Sequence, residues 1–400
     1  MRIIHTSDWH LGRQFGPISL RADQEAFTDW FVELCRDQAA DLVVIAGDLY
    51  DRAIAPVESI ELFRDTVGRL LAQGTMVAAV TGNHDGPDRV APHGELLDLS
   101  RFYLRGGYQS VGGVIPLDLA DGPLDLVLLP FLDPQAAPDD FGLSADASTA
   151  EVDGAATVVD ELIERRRSRT HQAVLETACR AARSHLRASR SLAVAHAFVR
   201  GSETSESERQ LVVGGAGDVS ASVFQPFSYT ALGHLHRPQA VAGCNARYSG
   251  TPLAYSFSEE HPKSVLVIDM DPTGATGITP VPVPVGRRVR TLTGEIAELL
   301  DPARHPDARD CFVRAVLTDR ETVLDAKARL AEVYPYVTEV RLQPEGHDLE
   351  TLEAPTDVRD LAPIEAARLF WEAAEGTAPA DEIDAFLVEA TSRALTGGAA

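Results

Sequence analysis

Five short polar clusters stand out in this sequence because each directly follows an apolar stretch. They are Asp8-Trp9-His10, Gly47-Asp48, Gly82-Asn83-His84-Asp85, His196 and Gly233-His234-Leu235-His236. Together they offer carboxylate, amide and imidazole groups, a mixture that suits divalent ions such as Mn²⁺, Mg²⁺, Fe²⁺ or Zn²⁺. Two ions that share a carboxylate can hydrolyse a phosphate ester, because one activates water and both neutralise charge on the phosphoryl oxygens. The clusters therefore predict a two-metal hydrolytic site.

The apolar stretches before the clusters predict buried β-strands. Those at residues 2–5, 41–46 and 76–80 are separated by amphipathic helical patterns, and a further long helix is predicted at 158–185. Near-continuous Val, Ile and Ala runs separated by helices are typical of βαβ units with a parallel sheet. The clusters then lie at the carboxyl ends of the strands, where open α/β sheets bind ligands.

Each cluster alone has a simpler interpretation. Asp8 and His10 could form a polar turn, Gly47-Asp48 could end a strand, and His196 could be a hydrogen-bonded core histidine. The prediction therefore depends on the conjunction of the clusters, which contain five of the 12 histidines. The other histidines, which we expect to be structural or solvated, are His5, His93, His171, His185, His261, His305 and His347.

The composition limits the classes of protein that this chain can be. Its 400 residues predict two or three domains of roughly 100–200 residues each. The net charge of −24, from 36 basic and 60 acidic residues, argues against tight nucleic-acid binding by the isolated chain. The four cysteines form no CxxC pair, which indicates neither a thiolate zinc site nor a disulfide framework. No apolar run approaches the roughly 18–20 residues that cross a bilayer, and we expect a cytoplasmic protein without membrane contact.

Patterns beyond the last cluster predict two further units. The Pro-Val repeat at residues 280–286 predicts an extended linker. After it, two strand patterns flank a helix at 322–333, which predicts a small α+β unit. Two short helical patterns follow residue 357, and their apolar residues include Ile364, Phe370, Trp371, Ile383, Phe386 and Leu387. The predicted domains are residues 1–285, 286–350 and 351–400.

As a group, the DxH, GD, GNHD, H and GHxH motifs resemble those of the calcineurin-like metallophosphoesterase superfamily. Within it, the opening MRIIHTSDWHLG, the AGDLYD segment at 46–51 and the YSGTP segment at 248–252 are similar to the SbcD family of bacterial nuclease subunits. The resemblance implies an α/β fold. It would consist of a two-sheet α/β sandwich metallophosphoesterase domain, a small α+β capping domain and a C-terminal helical pair.

The resemblance also implies which side chains bind the two ions. The ligands of the first ion would be Asp8, His10, Asp48 and His236. The ligands of the second ion would be Asp48, Asn83, His196 and His234. Asp48 would then bridge two divalent ions. In this superfamily such sites usually hold Mn²⁺, with Mg²⁺, Fe²⁺ or Zn²⁺ as alternatives.

His84 directly follows a predicted ligand. The resemblance gives it a role in the transition state, either orienting the scissile phosphate or helping the 3′-oxygen to leave, and a histidine can donate a proton near neutral pH. The alternative is that His84 holds the Asn83 loop through a hydrogen bond to Asp85. Relatives from archaea and eukaryotes tend to carry a histidine at position 51, whereas this chain has Asp51, whose role therefore stays open.

The activity implied by the resemblance is that of a DNA nuclease acting with the ATPase SbcC in DNA repair, recombination and replication. It would act as an exonuclease on double-strand ends and as an endonuclease on hairpins. The apolar residues of the helical pair would dock on the base of the SbcC coiled coil, as a helix does in a hydrophobic groove, or would pack on their own domain. The family also forms a dimer through helices, for which segments 18–31 and 60–71 are both candidates.

Two other functions fit parts of the sequence. A stand-alone phosphatase or cyclic-nucleotide phosphodiesterase shares the metal core, and Asp51-Arg52 resembles the segment in which protein phosphatases bind phosphate, although Ala53 replaces their glycine. A non-catalytic scaffold for SbcC or DNA is the remaining alternative, against which the complete ligand set argues. The arginines near the motif loops, as candidates for DNA contact, are Arg13, Arg89, Arg101, Arg105 and Arg237.

Overall fold

A computed structural model of the protein describes residues 1–139, 141, 169–208, 217–343 and 362–396. The strands, in chain order, are β1 (Arg2–Thr6), β2 (Gln14–Phe15), β3 (Ile18–Ser19), β4 (Leu42–Ala46), β5 (Met76–Val80), β6 (Phe102–Arg105), β7 (Val114–Leu119), β8 (Gly122–Leu129), β9 (Ser191–His196), β10 (Phe198–Val199), β11 (Asp218–Val219), β12 (Tyr229–Gly233), β13 (Gln239–Ala240), β14 (Ala246–Tyr248), β15 (Ser264–Met270), β16 (Thr276–Pro282), β17 (Val289–Gly294), β18 (Phe312–Leu317) and β19 (Val337–Leu342). The α-helices are α1 (Arg21–Asp37), α2 (Val57–Ala72), α3 (Pro87–Val90), α4 (Gly94–Leu97), α5 (His171–Arg183), α6 (Ile296–Leu299), α7 (Ala326–Val333), α8 (Pro363–Glu375) and α9 (Asp381–Thr396).

Two six-stranded sheets form the framework in the described part of the chain. The first has the order β16-β15-β1-β4-β5-β6, in which β1, β4, β5 and β6 run parallel. The second has the order β13-β14-β12-β9-β8-β7, in which β14, β12, β9 and β8 run parallel. The strands that precede the five polar clusters are therefore parallel strands inside the sheets, as the sequence pattern predicts.

Alternate residues of the central strands enter different hydrophobic layers. Ile3 and Val44 lie between the two sheets, whereas Ile4 and Val43 lie in the layer that α1 and α2 cover. On the far side of the second sheet, Val174 of α5 packs in a third layer. Because both faces of these strands are covered, their sequences are continuous apolar runs. The predicted α/β fold class is confirmed.

The helices on the first sheet form because their apolar residues recur at helical spacing. In α1, Phe27, Phe31 and Cys35 are buried, and in α2, Phe63 and Val67 are buried. This spacing gives each helix one apolar stripe that packs against the sheet. The two helices thereby fix the loops that connect β1, β4 and β5.

Two predictions of secondary structure were wrong in part. The Pro-Val repeat is not a free linker throughout, because residues up to Pro282 belong to β16 and pair with β15. β16 is an edge strand, where proline does not interrupt the hydrogen-bond ladder. A continuous helix from 158 to 185 is also wrong, since Thr170 is extended and its side chain caps α5 by accepting the Ala173 N–H at 3.1 Å. Residues 158–168 of that predicted helix lie outside the described residues.

A separate sheet follows the sandwich. Strands β17, β18 and β19 run parallel, and α7 connects the last two. We call these three strands the C-terminal sheet; Val313 and Leu317 of its middle strand pack against Leu330 of α7. The strand and helix patterns of the predicted α+β unit are found there, together with β17, which the sequence analysis did not identify. The domain boundaries at residues 285 and 350 stay predictions.

The chain ends in two helices, α8 and α9, as the helical patterns after residue 357 predict. α8 begins with Pro363, whose fixed φ suits the first helical position, and it is followed by Gly376, whose φ of +71° ends the helix. None of the described helices is both long enough and apolar enough to cross a bilayer.

Candidate metal centre

The five polar clusters lie together at the edge where the parallel strands of both sheets end. The predicted site residues that the structure brings together there are Asp8, His10, Asp48, Asn83, His84, His196, His234 and His236. The aspartates and the histidines other than His84 are at most 5% exposed, whereas Asn83 and His84 are half-buried. The assignment of these residues as metal ligands stays a prediction, and their geometry can be tested for its fit to metal ions.

Asp48 lies between the two predicted groups of ligands. Its Oδ2 atom is 3.5 Å from His10 Nε2 and 3.6 Å from His196 Nε2. Its Oδ1 atom accepts a hydrogen bond from the His84 N–H at 2.9 Å. A carboxylate oxygen that faces an imidazole nitrogen on each side is placed as a ligand shared by two ions would be.

The other atoms that could bind metal ions form two groups near Asp48. Asn83 Oδ1 is 2.9 Å from His196 Nε2 and 3.0 Å from His234 Nδ1, so these three potential metal-binding atoms lie close together. On the other side, donor atoms of Asp8, His10 and His236 all lie within 4.8 Å of one another. Each of the two groups that the resemblance implies therefore contains neighbouring side chains, and Asp8 also lies close to Asp48 and His196.

Unpaired buried atoms show that the site fits metal ions. His10 is fully buried, yet neither of its ring nitrogens has a hydrogen-bond partner among the described residues, and the same is true of Asn83 Nδ2. Buried polar atoms in native proteins nearly always have partners, and an ion is one explanation for an exception. Because His10 Nε2 and Asp48 Oδ2 lie 3.5 Å apart without a hydrogen bond, a bound cation would satisfy both atoms.

The backbone at this edge is held in an uncommon conformation. The φ angles are +54° at Asp8, +43° at His10, +48° at Asp48 and +104° at His234. Side chains other than glycine seldom adopt positive φ, and such residues cluster at functional sites. The sharp turns aim successive side chains into one small volume.

At two positions next to the site only glycine fits, because a predicted ligand lies against the backbone there. A Cβ atom on Gly82 would overlap the Asp48 carboxylate, and one on Gly47 would overlap the His196 ring. Gly47 also has a φ of +90°, a conformation that glycine adopts without strain. Any side chain at either position would therefore push a predicted ligand out of place.

Burial and mutual repulsion shift the pKa values in the site. Burial, followed by the charge of Asp48, raises the pKa of Asp8 well above that of an ordinary carboxyl. Burial is also the largest cause that lowers the pKa values of His10, His196 and His234. The imidazoles are therefore neutral and able to bind metal ions, and a cation would relieve the repulsion between the two carboxylates.

His84 is oriented by Asp51 rather than by Asp85. Its Nδ1–H donates to the main-chain oxygen of Asp51 at 2.9 Å, and its ring centroid is 4.7 Å from that of His10. The Asp51 carboxylate in turn lies 3.6 Å from His10 Nδ1. Asp51, whose role the sequence left open, therefore contacts two predicted site residues, His84 through its main-chain oxygen and His10 through its carboxylate.

Asp85 binds main-chain N–H groups instead of the His84 side chain that the sequence analysis considered as its partner. Its carboxylate accepts hydrogen bonds from the N–H groups of Leu49, Tyr50 and Gly82 at 2.8–3.0 Å. Burial and the charge of Asp48 raise its pKa to about 7. Asp85 therefore ties the loop after β4 to the loop after β5, which positions Asp48 relative to Asn83.

Gln24 supports the site and was missed by the sequence analysis. Its amide donates to the main-chain oxygen of His10 at 2.8 Å and accepts the Gly12 N–H at 3.0 Å. Gln24 is 2% exposed and lies three residues before Phe27 on the apolar stripe of α1. A polar residue on an apolar helical face is the signal that could have identified it.

Comparisons with known proteins found two family models and similar solved structures. A family model of calcineurin-like phosphoesterases matches residues 1–137. A second model, for the SbcD C-terminal domain and described as the type 5 capsule protein repressor C-terminal domain, matches residues 285–375. Among solved structures, a dimetal phosphatase from Danio rerio is similar, with 13% identity, coverage of 70% of this chain and 98% of that chain, and a TM-score of 0.35.

The match of residues 1–137 to calcineurin-like phosphoesterases and of residues 285–375 to the SbcD C-terminal domain supports an SbcD-type protein of the metallophosphoesterase superfamily. These matches support a phosphoester hydrolase that uses divalent metal ions, for which the aspartate and histidine clusters are the candidate ligands.

Proposed function

We propose that this chain is a metal-dependent DNA nuclease that works with the ATPase SbcC, as an exonuclease on double-strand ends and an endonuclease on hairpins. The observation that carries the proposal is the position of Asp48 Oδ2, within 3.6 Å of an imidazole nitrogen from each ligand group. Two ions on a shared carboxylate are the arrangement that displaces an oxygen from a phosphate ester. The match of residues 285–375 to the SbcD C-terminal domain supports DNA as the substrate.

In the proposed mechanism, seven side chains would bind the metal ions and His84 would transfer a proton. When bound, two divalent ions, which we propose to be Mn²⁺, would activate a water molecule and neutralise the charge that develops on the phosphoryl oxygens. The seven predicted ligands would hold the two ions. His84 donates through Nδ1 to Asp51, so Nε2 is the nitrogen that can exchange a proton, and we assign that proton to the departing 3′-oxygen.

The two alternative functions have less support. In a stand-alone phosphatase, Arg52 would bind phosphate, but 76% of its side chain is exposed and it lies 3.6 Å from the Asp51 carboxylate. The C-terminal sheet and the two final helices also have no role in a single-domain phosphodiesterase. A non-catalytic scaffold leaves the unpaired nitrogens of His10 unexplained, because burying them without partners destabilises the fold.

The acidic character of the chain leaves it little cationic surface for binding DNA. The net charge is −24, and some of the candidate arginines are already paired with acids. Arg105 is 8% exposed and lies 2.7 Å from Asp98, and Arg13 lies 3.0 Å from Asp51. We therefore propose that SbcC supplies most of the cationic surface, and that the isolated chain binds duplex DNA weakly.

A nuclease assay tests the proposed function. Linear duplex, hairpin and single-stranded DNA are incubated with the purified chain and Mn²⁺, in the presence and absence of SbcC and ATP. We expect cleavage of duplex ends and hairpins that SbcC and ATP stimulate and that EDTA abolishes. Bis(p-nitrophenyl) phosphate serves as the control substrate, because its hydrolysis needs no DNA-binding surface.

The pattern of activity separates the three functions. Hydrolysis of the small diester without DNA cleavage in any condition contradicts the nuclease and favours a stand-alone hydrolase. No hydrolysis of either substrate, with every metal ion tried, favours the scaffold. Tight and salt-resistant duplex binding by the isolated chain contradicts the proposed role of SbcC in DNA binding.

We also propose that α8 and α9 form the docking surface for SbcC. Arg368 and Asp384 join the two helices, with nitrogen–oxygen distances of 2.5 and 2.7 Å. Phe370 and Phe386 are 71% and 67% exposed. The other predicted contact residues, which are half-buried, are Ile364, Trp371, Ile383 and Leu387. Exposed aromatic side chains on a joined pair of helices are typical of a protein-binding surface.

Phe370→Glu and Phe386→Glu are each expected to weaken binding to SbcC by about 30-fold, the effect of losing one aromatic anchor of about 2 kcal/mol. The measurement is calorimetry with an SbcC fragment that contains the base of its coiled coil. Glu382→Gln, at an exposed position of α9, is the matched control and keeps full affinity. Circular dichroism checks that the helices persist, and unchanged affinity of both phenylalanine variants contradicts the docking surface.

A homodimer completes the proposed assembly, which would be a heterotetramer with SbcC. Of the two candidate segments, the one at 60–71 has the apolar side chains Ile54, Val57 and Ile60 exposed at and before its start, by 71%, 67% and 46%. In segment 18–31, by contrast, Ile18 and Trp30 are half-buried. We therefore place the dimer surface at the beginning of α2. A monomeric mass in sedimentation at micromolar concentration contradicts this part of the proposal.

A further inference from the structure

Two polar side chains, the half-buried Ser207 and the buried Glu259, lie next to His236. His236 Nδ1 is 2.6 Å from Ser207 Oγ, and that hydroxyl is 2.5 Å from Glu259 Oε1. An ionised carboxylate only accepts hydrogen bonds, so the Ser207 hydroxyl donates to Glu259 and accepts from the His236 Nδ1–H. Nδ1 therefore carries the ring proton, and Nε2 keeps the lone pair that can bind an ion.

Glu259 is itself held in a fixed position. It is 1% exposed, its Oε2 accepts from Thr251 Oγ1 at 3.0 Å, and its Oε1 accepts from the Tyr255 N–H at 3.3 Å. Lys263 forms an ion pair with it, and the Lys263 side chain is 10% exposed. A buried carboxylate with a cationic partner and several donors remains charged and does not change its orientation freely.

We propose that Glu259 and Ser207 are positioning residues for the metal centre, because they fix the ring and the tautomer of His236 so that Nε2 faces an ion. Metal-binding histidines commonly donate their second ring N–H to a carboxylate or to a group linked to one, which makes the ligand nitrogen more basic. The inference rests on the proposed two-metal function. Neither residue belongs to the five polar clusters, and the sequence analysis did not identify them.

The C-terminal sheet contacts the same two segments of chain. Arg314 of β18 lies 3.7 Å from the carboxylate of Glu206, the neighbour of Ser207. Glu260 accepts the N–H of Thr291 in β17 at 2.8 Å. The C-terminal sheet therefore supports both segments that carry the positioning residues, although it contributes no predicted ligand.

Glu259→Gln in the full chain tests the inference, with Mn²⁺ alone as the probe. Calorimetry is expected to find two bound ions in the unaltered protein, and in the variant a roughly 10–100-fold weaker affinity for one of them. In the metal-free protein, ¹⁵N NMR of the imidazoles is expected to show His236 as the Nδ1–H tautomer. The variant is expected to show a mixture, because an amide can donate as well as accept.

A second variant separates positioning from mere structural support. Glu259→Gln leaves Lys263 buried without its anionic partner, which lowers the melting temperature by itself. Adding Lys263→Met removes that charge, and the double variant is expected to recover the melting temperature but not the affinity for Mn²⁺. Recovery of both properties, or full affinity of the single variant, overturns the positioning role.

Glu260→Gln is the matched control. Glu260 is the neighbour of Glu259 but binds the Thr291 N–H, which glutamine also accepts, so both affinities are expected to stay unchanged. If the unaltered protein binds no pair of Mn²⁺ ions, the proposed function fails and the inference with it. If it binds two ions and Glu259→Gln leaves both affinities unchanged, only the inference fails.

Discussion

Replacing Asp48 by asparagine is expected to abolish the binding of both metal ions, because its Oδ2 atom lies close to His10 on one side and His196 on the other. Asparagine keeps the size of the side chain and tolerates the φ of +48°, but it lacks the charge. The stoichiometry of Mn²⁺ in calorimetry should fall from two to none. Hydrolysis of DNA and of the small diester should fall by more than the roughly 10²–10³-fold loss seen when one electrostatic group is removed.

Asp8→Asn is the matched comparison for this variant. Asp8 has the same side chain, is also buried and has a similar φ of +54°, but it is assigned to only one ion. We expect its replacement to reduce the stoichiometry from two ions to one. Retention of two ions by Asp48→Asn contradicts the assignment of Asp48 as the shared ligand.

His84→Gln is expected to lower the rate of DNA cleavage by about 10²–10⁴-fold while both metal ions remain bound. The main-chain N–H of residue 84 still binds Asp48 in this variant, so the ligand geometry is kept. The amide of glutamine is too weak an acid to transfer a proton to a departing 3′-oxygen. The measurements are single-turnover cleavage rates and Mn²⁺ titration of the same preparation.

The nature of the leaving group distinguishes proton donation from other roles of His84. Nitrophenolate leaves without a proton, so the loss of activity should be much smaller with bis(p-nitrophenyl) phosphate than with DNA. Equal losses with both substrates favour orientation of the phosphate instead. Lost Mn²⁺ binding makes His84 a ligand, which its closeness to His10 and Asp48 permits.

The components of the site could be predicted from the sequence because their placement follows a simple rule. The carboxyl ends of parallel strands share one edge of a sheet, so polar residues after β1, β4 and β5 must lie near one another. The buried strands could also be predicted from the sequence, because strands covered on both faces have continuous apolar runs. His196 and the pair in GHxH, which come from the second sheet, were found in the same way, because each also follows an apolar strand pattern.

The supporting residues could not be predicted, because they act across long separations in the chain. Glu259 contacts His236 both directly, at 3.4 Å, and through Ser207, and Gln24 contacts the turn at His10 from a helix. No local pattern marks such contacts. The proposed bond between His84 and Asp85 failed for the opposite reason, because adjacency in the sequence suggested a contact whereas the structure pairs each residue with the loop after β4.

The positive φ angles at Asp8, His10, Asp48 and His234 have a consequence for protein engineering. Residues held in this way each carry roughly 1–3 kcal/mol of strain, which glycine would release. We therefore expect that selection for thermal stability alone would enrich glycine at these positions, and that the resulting variants would be more stable but inactive. Attempts to obtain a thermophilic version should keep these four codons fixed and seek their gains in the outer helices.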